Sequence, residues 1–153
     1  MSTTKWGPRT MLGSILQTLT RLYYGPSLLR SYFALNSALT EERWGEVVRI
    51  GTEMRSKDFD SDRLRFLVGT AHVHMGSFEQ AAREFSAITS RSRDIKEEAS
   101  LQIHYAIALH SLARDQEAAS ILRAQELDRW PAPDRERANK MLQEIGSLAS
   151  PIQ

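Results

Sequence analysis

Cysteine is absent from this 153-residue chain, which removes disulfides, thiolate nucleophiles and thiolate metal sites together and suits a reducing, cytoplasmic setting. Long apolar runs are missing as well. Nothing approaches the roughly eighteen uninterrupted apolar residues that a membrane-spanning helix requires. There is no glycine-rich phosphate loop, no G-x-S-x-G elbow and no acid pair whose spacing implies proton transfer. The sequence therefore predicts no catalytic residue, no cofactor and no small-molecule substrate.

The first forty residues lack acidic side chains altogether. They carry Lys5, Arg9, Arg21 and Arg30, whereas the remainder holds 16 basic against 19 acidic residues. That later stretch interleaves its charges, as a solvated face does, and offers no basic stripe for nucleic acid. An acid-free start with Arg and Ser is also the composition of an organelle transit peptide, and that reading stays open beside the cytoplasmic one.

Two patterns invite a metal and neither holds one. Asp58-x-Asp60-x-Asp62 has the first three carboxylates of a calcium loop, but Arg63 stands at the sixth position where glycine is needed and Gly69 at the twelfth where glutamate is. His72 and His74 lie two apart, His104 and His110 six apart, and neither interval is the i, i+4 of a helical metal site.

What the chain does have is helical periodicity. Leu64, Leu67, Val68, Ala71 and Met75 fall on one helix face, Gly76 supplies a stop, and Phe78, Ala81, Ala82, Phe85 and Ile88 line the next helix. Ser77 and Gln80 have the spacing of a capping box. Stepping back 34 residues from Ala81 reaches Val47, with Trp44 placed as Phe78 is; stepping forward 37 reaches Ala118, with an insertion near Ser90 to Asp94. Hairpins are expected over about Leu28–Met54, with Thr40 capping the second helix, and over Ala99–Leu112 with Gln116–Leu127, where Asp115 is the cap. After Trp130-Pro131-Ala132-Pro133, Ala138, Met141, Leu142 and Ile145 mark an amphipathic closing helix.

Val68-Gly69-x-x-His72, Gly76, Phe78 and Ala81-x-x-x-Phe85 resemble the tetratricopeptide repeat, W-x2-L-G-x2-Y…A-x3-F…P, with Arg65 at the tryptophan position, His72 at the tyrosine position and no closing proline. About three repeats over residues 28–128 are indicated. The resemblance implies an all-α right-handed superhelix of helical hairpins, organised as a basic amphipathic segment (1–27), a repeat domain (28–147) whose capping helix is 133–147, and a tail (148–153).

It also implies a partner. In this family the first helix of each hairpin lines a concave groove, which here contains Leu29, Tyr32, Phe33 and Asn36; Arg63, Phe66, Thr70 and Val73 or His74; and Ser100, Ile103, His104 and Ile107. The set is mainly apolar and aromatic and suits a helix or peptide segment of another protein. The cations with which some members clamp a carboxylate are missing, with Asn36 alone at a matching position. A separate stripe, Met11, Leu12, Ile15, Leu16, Leu19, Leu22 and Tyr23, with Trp6 ahead of it, has three competing uses: packing on the repeats, docking on a partner, or lying on a membrane surface. The expected role is a non-catalytic adaptor. The alternatives are an accessory subunit of a membrane complex attached through residues 1–25, and a chaperone resembling those of type III secretion.

Overall fold

The computed structural model describes residues 25–89 and 95–148, and the stripe over residues 11–23 lies outside them. Among the described residues seven α-helices follow one another: α1 (25–40), α2 (Trp44–Ser56), α3 (Asp62–His74), α4 (Phe78–Ser86), α5 (Ile95–Ser111), α6 (Asp115–Arg123) and α7 (Ala132–Leu148). A single 3-10 turn, Leu127–Arg129, precedes α7. No strand occurs among the described residues. The fold is an all-α stack of helical hairpins, α1–α2, α3–α4 and α5–α6, with α7 packed on α5 and α6.

The corners between paired helices are copies of one another. Glu42, Gly76 and Ala113 all take a left-handed backbone, with φ of 54°, 71° and 57°. The following N–H of Arg43, Ser77 and Arg114 then donates back to the carbonyl of Ala38, His72 and Leu109 at 2.8, 2.8 and 2.9 Å. This is the hydrogen-bond pattern of a helix closed by a left-handed residue. Five residues beyond each corner sit Val47, Ala81 and Ala118, all at 0% exposure, so the three hairpins share one register.

The caps differ from expectation. Thr40 ends α1 and donates its hydroxyl to the Asn36 carbonyl, because the corner needs three residues after it; Arg43 occupies the N-cap of α2. Ser77 is the N-cap residue of α4 but makes no side-chain cap bond, and its N–H, which the Gln80 side chain of a capping box would take, is bonded instead to the His72 carbonyl. Asp115 is the first residue of α6 rather than its cap, and accepts from His110 Nδ1 at 2.6 Å. Ser61 caps α3, its hydroxyl accepting from the Leu64 N–H. Pro133 falls in the first turn of α7, where its missing N–H costs nothing.

The core divides at α3. Leu64, Val68 and Ala71 join Leu28, Leu35, Ala38, Val47, Ile50 and Met54 in one cluster. Phe66 and Val73, on other positions of the same helix, pack against a second cluster built from α4, α5, α6, Trp130 and α7. Two glycines let backbones approach. A methyl on Gly69 would come within 2.6 Å of Phe85 Cε1, and one on Gly51 would fall on the Val68 side chain. Arg55 on α2 straddles the division by holding Glu84 on α4 through two hydrogen bonds of 2.7 Å.

Candidate functional site

The register brings Tyr32 and Asn36 of α1, Phe66 and Thr70 of α3, and Ile103 and Ile107 of α5 to equivalent places in successive hairpins. Their environments differ. Tyr32 is 38% exposed and Asn36 is exposed. Phe66 is half-buried between Phe85 and His104, with ring centroids 6.5 and 6.3 Å away. Thr70 is half-buried, and its hydroxyl has no hydrogen-bond partner. Ile107 is half-buried, whereas Ile103, at 4% exposure, sits in the core with Ala138 and Ile145 of α7. Ile103 is thus a packing residue, because a further helix shares the core of the third hairpin.

Phe33 is 60% exposed on α1, and Arg63 reaches from α3 to pair with Glu97 of α5 at 3.1 Å. His74 lies flat on Trp44, centroids 4.0 Å apart and planes at 4°, joining the corners of the first two hairpins. His104 is 6.3 Å from His74 and donates from Nδ1 to the Ser100 carbonyl at 2.6 Å, which leaves Nε2 as an acceptor. Burial is the main reason its imidazole is held below the ordinary pKa; the Ser100 carbonyl opposes this, and His74 and Arg137 reinforce it. His104 therefore offers a neutral wall at the side of the face, not a free cation.

Sequence reasoning missed two aromatic residues. Trp44 served only to mark register, yet it supplies the platform for His74; its signal was a large ring just past a corner. Tyr105 stands where the second hairpin has the fully buried Val68, and two clefts of about 380 and 720 Å³ meet at Tyr105 and Ser86 between α4 and α5. An aromatic with a polar tip at a position otherwise given to a small apolar side chain was the available clue. Burial raises the Tyr105 pKa, so it stands as a neutral phenol.

Among the described residues no cluster of three or more His, Asp or Glu side chains could hold a metal, and no helix is long and apolar enough to cross a membrane. The site has surfaces for contact: exposed aromatic area and an exposed amide on α1, and a stacked pair at the corners. No curated protein and no solved structure matches the chain. A family model does, over residues 15–144, and it is described as T7SS, ESX-1 secretion system protein EccA1, N-terminal domain. Since the match takes in most of the chain and all three hairpins, the chain belongs to that family, a TPR-like helical domain of a secretion system.

Proposed function

We propose that the protein is a non-catalytic adaptor of a secretion system, holding a helical or extended segment of another protein against the face formed by α1 and α3. The observation that carries this reading is the exposed pair Tyr32 and Asn36 on α1, in register with Phe66 and Thr70 of the adjacent first helix. An exposed phenol supplies rigid contact area, while an exposed amide gives orientation, the usual division between anchor and polar guide. The Trp44–His74 stack bounds this face at the corners, and Arg63–Glu97 bounds it at the start of α3. The family match supports a secretion-system setting, in which the partners of this domain would be other proteins.

Phe66 is a poor place to test binding, because a charge there would damage the core. Tyr32 is better. A photo-crosslinking residue at position 32 should capture a component or a substrate of the secretion system in cells, and the same residue at position 139 on α7 should not. Tyr32→Glu should lower that partner's affinity at least tenfold with helix content unchanged, by the weight a central aromatic anchor carries, about 2 kcal/mol. Unchanged affinity, or equal capture at 139, sinks the reading.

A further inference from the structure

The two ends of the stack are built differently. The outward side of α7 carries Arg135, Glu136, Asn139, Lys140 and Gln143 around an open cleft, the polar closure that a repeat stack requires. At the other end, α1 presents Arg30, Phe33, Ala34 and Ser37, all exposed and all on one stripe.

Repeat equivalence shows what this stripe does elsewhere. Its counterparts on α3 are Leu64, Leu67, Val68 and Ala71, which pack with Val47, Ile50 and Met54 of the preceding α2. At the centre of that contact Gly51 of α2 meets Val68. One hairpin on, the same pair of positions is Phe85 of α4 against Tyr105 of α5, centroids 5.9 Å apart. The stripe is the surface by which each first helix receives the second helix of the hairpin before it. On α1, among the described residues, it receives nothing.

The chain ahead of α1 has the matching pattern. Val47, Ile50, Gly51 and Met54 are the buried positions of α2, and Leu12, Ile15, Leu16 and Leu19 repeat that spacing 35 residues earlier. From Gly51 to its partner Val68 is 17 residues, from Phe85 to Tyr105 is 20, and from Leu16 to Ala34 is 18. As small Gly51 faces larger Val68, large Leu16 would face small Ala34; only the Phe85–Tyr105 pair joins two large side chains. Gly25 takes a left-handed φ of 70° at the entrance to α1, as Asp58 takes 61° in the turn before α3.

We propose that residues 11–23 of this same chain cover the Phe33–Ala34 stripe of α1, with Leu12, Ile15, Leu16 and Leu19 in the register that α2 holds against α3. Joined to α1 through Gly25, the segment competes at an effective concentration of about millimolar, which a separate partner or a lipid surface does not match. The neighbouring stripe with Tyr32 and Asn36 stays open, so this inference does not depend on the adaptor reading.

The absence of native cysteine makes the test clean. In the full chain, Leu16→Cys with Ala34→Cys should form a disulfide within one molecule under mild glutathione oxidation, and Leu16→Cys with Asn139→Cys should not. No bond in the first pair, or a bond only between two chains, overturns the proposal, the latter by assigning the face to a second copy. Independently, Leu16→Glu should lower the melting temperature by about 4 °C and increase amide exchange in α1. An unchanged melting temperature, with wild-type binding to anionic phospholipid vesicles lost in the variant, overturns the proposal in favour of a lipid surface.

Discussion

Three residues at the same point of three hairpins turn the chain through a left-handed conformation, and only one of them is glycine. A side chain with a Cβ pays roughly 1 kcal/mol to sit there. Ala113 has no polar group with which to offset that cost, so Ala113→Gly is expected to stabilise the protein by about 0.5–1 kcal/mol, and Gly76→Ala to destabilise it by about 1 kcal/mol. Urea unfolding curves with unchanged slope check both; equal midpoints for the two variants would contradict the shared geometry. The same trio marks where the sequence was readable. Gly76 announces its backbone, whereas Glu42 and Ala113 do not, and Thr40 looked like a cap because a hydroxyl before two acids usually is one. It ends a helix here because three residues, not one, are spent on turning.

Among the elements, α3, α5 and α7 meet at His104. The charged and titratable groups acting on it are His74 from α3 and Asp134 and Arg137 from α7, together with the Ser100 carbonyl of its own helix. Burial depresses its folded pKa below the ordinary 6.5, and burial likewise depresses that of His72. Above pH 6.5 the ring is neutral in both the folded and the unfolded chain and nothing is lost. As pH falls through 6.5 toward the folded value, the unfolded chain takes up a proton that the folded chain refuses, so stability declines on acidification. The melting temperature should fall between about pH 7 and pH 5, and His104→Gln should flatten part of that slope; a slope unchanged by this substitution would place the titration elsewhere. The existence and order of the helices were legible at this scale because apolar periodicity reports which face is inward. The fate of Ile103 was not, because register alone cannot tell a residue facing a groove from one covered by a following helix.

The molecule as a whole has two cores on either side of one helix. Leu64, Val68 and Ala71 of α3 belong to the first, while Phe66 and Val73 serve the second, which holds more of the buried side chains among the described residues. Repeat stacks unfold by nearest-neighbour rules, and local stability follows buried contacts. Native-state hydrogen exchange should therefore release the amides of α1 and α2 at lower denaturant than those of α5 and α6, with α3 opening alongside the first pair. A single release common to all helices would argue for one cooperative unit. Here too the sequence was partly informative: Val47, Ala81 and Ala118 fixed the stacking, but nothing in their spacing foretold that Phe85 would pack so close to Gly69 that no side chain fits there.

That division changes what capture of a guest would do. A segment lying across Tyr32 on α1 and Thr70 on α3 spans the boundary and grips the helix that both halves share. Such a guest would act as a splint: as its concentration rises, early release of the first pair should disappear and the two steps should merge into one. Occupancy could then be read from cooperativity, without any label on the partner.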